Sequence, residues 1–310
     1  MQGGGCTMRL DRLQNGLWHL IRYGLIVGIG FIILYPLLRQ ISFAVMHPDD
    51  LFDLTVNWIP RNITKINFQV AWEMLDYSKA LINTLGVTLL LGTLELASTM
   101  IIGYGFARWR YPGSNLVFGL VILSIIIPPQ MVMVPLFLNF RYFDLFGLLP
   151  EPGVNLIGSF WPMVLMALTG TAKRSGLFIF ITRNFFRGMS TSLEEAAYVD
   201  GAGHLKTFLR IMLPNATPIA VIVFLFSFVW HWNDLFYTDL FLQGRNLLQI
   251  ALLRINSQFN YPWANKAVEG TYIQLVNNAG MLLYILPVLF LYAFLQRYFI
   301  ESIEKTGLVG

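Results

Sequence analysis

Charge is scarce in this 310-residue chain: Asp, Glu, Lys and Arg together make up 12% of it, where a soluble domain carries about 25%. That shortage, set against 56% hydrophobic residues, excludes a soluble globular protein and points to an integral membrane protein. Cysteine is almost missing as well. The single Cys6 excludes an internal disulfide, and no apolar stretch precedes it as a lipid-attachment site would require. No Gly-x-x-x-x-Gly-Lys-Ser/Thr run occurs, so the chain has no such loop in which to cradle ATP. The four histidines (His19, His47, His204 and His231) are scattered. They make no metal-ligand spacing and no Ser-His-Asp set, so each reads as structural, and neither a metal nor a bound cofactor is expected. A net charge of +4, with no basic patch interleaved with aromatics, leaves no case for nucleic acid.

What the chain does have is long apolar runs. Six are long enough to cross about 30 Å of hydrocarbon: Leu17–Val45, Leu81–Ala107, Leu116–Phe140, Pro162–Phe186, Pro218–Leu242 and Val276–Ile300. Runs of that length predict an all-α membrane fold. Met1 to His19 is polar and glycine-rich with no cleavage pattern before the first run, so that run is expected to remain as a span. The expected organisation is an N-terminal segment over 1–16, a six-helix transmembrane domain over 17–300 and a C-terminal tail over 301–310. Lys173-Arg174 interrupts the fourth run; the alternative ends that span at Ala172 and lays the following segment on the cytosolic surface.

Cations in the short connections set the orientation. Arg9, Arg12 and Arg22 flank the first run, Arg108 and Arg110 follow the second, and Arg183, Arg187, Lys206 and Arg210 surround the connection after the fourth. Between runs one and two stand Asp49, Asp50, Asp53, Glu73 and Asp76. Both termini and the 188–214 connection are therefore expected in the cytosol. The outer loop 243–275 dissents, since Arg245, Arg254 and Lys266 outnumber Glu269. No internal repeat is evident, where many secondary transporters have repeated halves; a half-transporter that pairs with a similar subunit fits better.

The 188–214 connection is the most informative stretch. It reads Glu194-Glu195-Ala196-Ala197-Tyr198-Val199-Asp200-Gly201, and Ile211-Met212-Leu213-Pro214 follows. Ser192 is expected to cap a short helix, with Glu195 closing a capping box. Ala196 and Ala197 give that helix a low-profile face, Gly201 and Gly203 break it, and Pro214 ends the next apolar stretch. A compact polar knob between apolar runs suits docking to something outside the bilayer.

This stretch resembles the EAA loop of the membrane subunits of ABC importers, a pattern of Glu-Ala-Ala, three residues, Gly, nine residues and Ile-x-Leu-Pro. Glu195, Ala196, Ala197, Gly201, Ile211, Leu213 and Pro214 fill every place. Beyond the loop the chain is similar to the maltose-permease type of sugar importer, through Trp58-Ile59-Pro60, Asn83-Thr84, Tyr104-Gly105-Phe106-Ala107-Arg108, Ile127-Pro128-Pro129-Gln130, Trp232-Asn233-Asp234 and Leu286-Pro287-Val288. It departs from that type in its tail, Glu301 to Gly310, which is not glycine-rich, and at Lys173-Arg174.

The resemblance implies a type I importer fold in a prokaryotic cell membrane, six transmembrane helices with a cytosolic coupling helix, and a sugar or oligosaccharide as solute. It implies as partners two ATPase subunits that bind ATP and Mg, a second, different permease chain and an extracytoplasmic solute-binding protein. It places ATPase docking at Glu194, Glu195, Ala196, Ala197, Asp200, Gly201, Ala202 and Gly203, with Ile211, Leu213 and Pro214 completing the motif. Leu205, Phe208 and Ile211 are expected to seat the knob on the permease itself. A glycerol phosphate or a polyamine is the alternative solute; an ion-coupled secondary transporter, with Glu95, Lys173 and Arg174 as relay, is the alternative class.

Charges at membrane depth are costly and default to functional candidates. Glu95 lies roughly 20 Å into the second run and Lys173-Arg174 roughly 17 Å into the fourth, at about 1.5 Å per residue. Similar depth pairs Glu95 with Lys173; a structural ion pair, a lining of the solute pathway and a misplaced span all stay open. Trp230, Trp232, Asn233 and Tyr237 in run five, and Asn277 and Asn278 in run six, offer the aromatic faces and planar polar groups that sugars need. Aromatics at that depth also serve as an interfacial belt or helix packing.

Overall fold

The longest apolar runs become the longest helices. The computed structural model describes residues 4–53, 55–145, 147–258 and 266–307, with side chains over 16–53, 55–145, 147–257 and 272–297. Expectations on Cys6, on Lys266 and Glu269, and on the tail 301–310 concern side chains outside these ranges. Among the described residues there are helices and no strands; two isolated antiparallel bridges, Met46–Ile63 and Phe143–Val154, are the β pairing present.

Helices α1 (Gly4–Val45), α2 (Ile66–Leu75) and α3 (Tyr77–Arg108) lead the chain. They are followed by α4 (Ser114–Ile126), α5 (Met133–Arg141), α6 (Trp161–Thr169), α7 (Ser175–Gly188) and α8 (Ser192–Val199). Then come α9 (His204–Thr207), α10 (Leu213–Asn215), α11 (Thr217–Trp232), α12 (Phe236–Phe241), α13 (Leu248–Gln258) and α14 (Lys266–Gly307). Within them Gly16–Val45, Tyr77–Arg108 and Tyr272–Arg297 are each long and apolar enough to cross a membrane.

The remaining runs differ from the six unbroken spans expected. The third bends by 104° between Ser114–Ile126 and Pro129–Arg141. Its cause is local: proline disfavours helical backbone before it and donates no hydrogen bond, and Ile127, before Pro128, is extended at ψ 119°. The segment ahead of run five bends by 78° between His204–Asn215 and Thr217–Trp232, where Pro218 sits in the first turn of α11. Counting each bent pair as one span gives five. The fourth run is broken outright: α6 ends at Thr169, capped by Gly170, and α7 begins at Ser175, so Lys173 and Arg174 lie on the link and not inside a helix. Run five ends early, at Trp232, with α12 resuming at Phe236.

The chain divides into two compact units, 1–74 with 255–283, and 75–254 with 284–310. In the first, Asn67 on α2 donates to the carbonyls of Ala44 (3.0 Å) and Met46 (2.8 Å), which closes the end of α1 onto α2. The intervening loop is held by Asp50. Its carboxylate accepts from the Asn62 backbone N–H at 2.8 Å and from the Asn62 amide at 2.9 Å. The Ser42 hydroxyl donates to the Trp58 carbonyl, and the Trp58 ring lies 4.7 Å from that of Tyr35.

Those Asn62 bonds, the backbone one foremost, hold the Asp50 carboxyl below the usual carboxylate range. A carboxyl lowered on folding contributes stability above its ordinary value and loses it as pH falls through the lowered one. Protection of the Asn62 amide from hydrogen exchange, taken against the intrinsic rate at each pH, is therefore expected to be high at neutral pH and to fall on acidification below the ordinary carboxylate range. Asp50→Ala should show low protection at both pH values.

The second unit is built around α3, with α7 packed along it and α11 and α6 alongside. The approach of α3 to α7 is close enough to need glycine: a Cβ on Gly103 would overlap the Thr182 hydroxyl and come within 2.9 Å of the Arg183 backbone nitrogen. Thr182 donates to the Thr99 carbonyl (3.0 Å), and Ser98 to the Ala167 carbonyl (2.6 Å). One apolar core gathers Met100, Tyr104, Phe178, Phe186, Phe208 and Met212; another gathers Leu91, Phe140, Met163, Tyr237 and Phe241.

Candidate docking knob and polar chamber

Helix α8 begins one residue earlier than a capping box at Ser192 requires. Thr191 is the N-cap and makes no side-chain cap bond, while the Ser192 hydroxyl shares a 2.7 Å bond with Ser190. The expected box is therefore not formed. The shift places Glu194 at the third helical position, where a box would need its partner, and Glu194 is engaged elsewhere. Its carboxylate is buried, 2.8 Å from the Arg108 guanidinium and 2.6 Å from the Tyr104 hydroxyl that donates to it.

Ala197 also turns inward and is buried, whereas Glu195, Ala196 and Asp200 are exposed and Val199 is 87% exposed. The helix ends at Gly201, whose φ of 79° lies in the left-handed region that only glycine adopts freely. Ala202 is half-buried, and Gly203, exposed, precedes the single turn of α9. A π-helical turn over Phe208–Met212 follows. Phe208 and Met212 enter the core beside Tyr104 and Phe186, with Ile211 and Leu213 packed at its edge; Pro214 is exposed. Leu205, expected to help seat the knob, is 71% exposed. The single turn of α9 points it outward, and Met212 occupies the core in its place.

The second cluster centres on Glu95, 2% exposed. It accepts from Ser175 on α7 at 2.7 Å and from Ser227 on α11, and it meets His231 Nε2 at 3.0 Å. The expected Glu95–Lys173 pair is thus absent. Lys173 Nζ instead sits 3.6 Å from Asp234, whose carboxylate also accepts from the Tyr237 backbone N–H at 3.4 Å. Arg174 lies 5.0 Å over the Trp230 ring. Depth counted along a straight helix misplaced Lys173 because the fourth run breaks at Gly170.

Glu95, Lys173, Arg174, Trp230, His231, Asn233 and Asp234 line a chamber of about 130 Å³. Five of these were expected from sequence. His231 and Asp234 were not, nor the serines behind them. Their signal was the same as that of Glu95, a polar residue in an apolar run. Trp232 is fully buried and does not line the chamber; it stacks 5.7 Å from Phe228, and its carbonyl accepts from Tyr284 at 2.8 Å. Asn277 and Asn278 belong to the first unit. There, with Tyr35, Arg39, Gln40 and Gln274, they line a pocket of about 510 Å³. Asn278 donates to the Gln274 carbonyl at 2.7 Å and Asn277 to Asn256. Among the described residues no group of His, Cys, Asp and Glu is arranged to hold a metal ion. The chamber offers fixed donors, acceptors and one aromatic face, an arrangement suited to holding a polar solute.

Known proteins resemble the chain along most of its length. It is 29% identical over 265 residues to the melibiose/raffinose/stachyose import permease protein MelC of Bacillus subtilis, covering 83% of this chain and 86% of that one. It is 24% identical over 299 residues to the maltodextrin transport system permease protein MalD of Streptococcus pneumoniae, covering 96% and 97%. A solved structure of a bacterial ABC transporter involved in importing the acidic polysaccharide alginate superposes with a TM-score of 0.74 at 21% identity, over 92% of this chain and 98% of that one; the two share their fold. From the C-terminal third of α3, through the knob and almost to the end of α14, residues 99–305 match the profile of the binding-protein-dependent transport system inner membrane component, and the chain is a member of that family of membrane transport subunits.

Proposed function

We propose that the chain forms one half of the pathway by which an ATP-driven importer moves a sugar or oligosaccharide through a prokaryotic cell membrane. The observation that carries this reading is the knob. A short helix presents Glu195, Ala196 and Asp200 outward, ends in a glycine-only turn at Gly201, and is anchored from behind by Glu194 and Ala197. Small side chains on a stiffly held helix suit insertion into a cleft of a partner. Sugar relatives covering more than four fifths of the chain support the solute class, as does a chamber joining Trp230 to Asn233 and paired charges.

In this reading the bent and broken runs each complete a crossing, giving six across 17–300. Residues 188–214 form the cytosolic coupling loop, with 1–16 and 301–310 on the same side. Two ATPase subunits hold ATP and Mg, each receiving one coupling helix; a second permease chain completes the pathway, and an external binding protein delivers solute. Closure of the ATPase pair drives alternating access if it favours one arrangement of the helices over the other.

The test is reconstitution with these partners. Sugar-loaded binding protein should raise ATP hydrolysis at least tenfold and drive uptake. Gly201→Arg, strained at its positive φ, and Ala197→Trp, too large for its buried site, should each yield inserted protein that no longer retains ATPase subunits. Normal subunit ratio and full stimulation in both variants would sink the docking assignment.

A further inference from the structure

Burying an ion pair costs desolvation on both sides, and apolar residues of equal volume often stabilise a fold as well or better. The Glu194–Arg108 pair is therefore a poor choice as mere glue, and its surroundings are unusually committed. Glu194 is 6% exposed. Both its oxygens are engaged, one by Arg108 at 2.8 Å and the other by Tyr104 at 2.6 Å. Arg108 also donates to the Met189 carbonyl at 2.9 Å, just before α8. Tyr104 is wedged edge-on against Phe186, ring centroids 5.4 Å apart. One carboxylate on the rear face of an eight-residue helix is thus clamped from two positions, one helical turn apart, at the end of α3.

Helix α3 is unbroken from Tyr77 to Arg108. Glu95 stands on the same rod, roughly 14 Å from Tyr104 at about 1.5 Å per residue, and there it engages Ser175 and His231 at the chamber. A displacement of α8 is thereby delivered to α3 through the charge-assisted hydrogen bond from Tyr104, the strong and directional kind, and through the Arg108 ion pair beside it. The rod carries it to the carboxylate that helps line the chamber.

We propose that Tyr104, Arg108 and Glu194 are positioning residues that form the mechanical linkage between the knob and the solute chamber, with α3 as the transmitting element. The inference rests on the docking reading above. It assigns Glu194 to the inward side of the joint and leaves contact with the ATPase to the outward residues of α8.

The experiment measures solute moved per ATP hydrolysed in vesicles holding the full complex, with maltodextrin and the oligosaccharide raffinose as probes. Glu194→Gln keeps the shape and removes the charge; Tyr104→Phe keeps the ring and removes one donor. Both should retain their ATPase subunits. The ratio of solute to ATP should fall at least fivefold for Glu194→Gln and about twofold for Tyr104→Phe, with part of it restored in the swapped pair Arg108→Glu with Glu194→Arg. A constant ratio in both variants, whatever the total activity, would make the clamp structural only and overturn the proposal. Should Glu194→Gln not insert, Tyr104→Phe decides by the same ratio. Loss of ATPase subunits from Glu194→Gln alone would mean that Glu194 meets the ATPase directly, which also overturns the linkage. Failure of the docking reading registers separately, as a Gly201→Arg complex that keeps its ATPase.

Discussion

Glu95→Ala is expected to lower the apparent melting temperature of the detergent-solubilised protein by about 5 °C, at a cost of about 3 kcal/mol. The alanine leaves Ser175, Ser227 and His231 facing a void where each had a carboxylate oxygen, and buried donors without acceptors lose more than the bond they made. Glu95→Gln retains one acceptor oxygen and the volume, so its loss should be about half as large. Lys173→Ala provides the contrast. Its side chain is 35% exposed and its Nζ lies 3.6 Å from Asp234, so the lysine end of the pair is partly solvated, and Asp234 keeps the Tyr237 backbone N–H when the lysine is removed; the melting temperature should fall less than for Glu95→Ala. The reverse order, with Lys173 the sensitive position, would contradict the pairing described here.

The second large effect is expected at Gly103. A methyl group there already overlaps the Thr182 side chain and crowds the Arg183 backbone, and backbone cannot swing aside as a side chain can. Gly103→Leu should force α3 from α7 at a cost of about 3 kcal/mol or more, and little monodisperse protein should be recovered by size-exclusion chromatography. Gly86 is the control on the same helix. Nothing lies within 4 Å of a Cβ built there, so Gly86→Ala should be neutral or stabilising by up to about 1 kcal/mol. Equal yields of Gly103→Leu and Gly86→Ala would show that the two helices do not pack as described.

Helix α3 was legible in the sequence to within a few residues because a long uninterrupted apolar run has little choice but to be one helix. The end of α8 was legible for a different reason: Gly201 is a residue that a left-handed turn demands, and its place after Glu195-Ala196-Ala197 marks where the helix stops. What was not legible depends on tertiary partners. Glu194 and Glu195 are identical in type, and only the position of Arg108 and Tyr104 decides which one is buried. His231 looked like one of four scattered histidines; being 136 positions from Glu95, it carries no local signal of that contact. The pairing of Glu95 with Lys173 followed from treating the fourth run as straight, and a five-residue link, Gly170 to Arg174, was enough to send the lysine to Asp234 instead.

The sharp corner after α4 has a consequence for what surrounds it. Pro128 and Pro129 have no N–H to give, so the carbonyls of Ser124 and Ile125, four residues upstream, lose the donors that a continued helix would supply. Oil cannot replace them, and backbone left bare in hydrocarbon costs several kcal/mol per group. Placed at membrane depth, this elbow would have to face neighbouring polypeptide or a wetted passage, and a lipid-facing perimeter would have to run elsewhere.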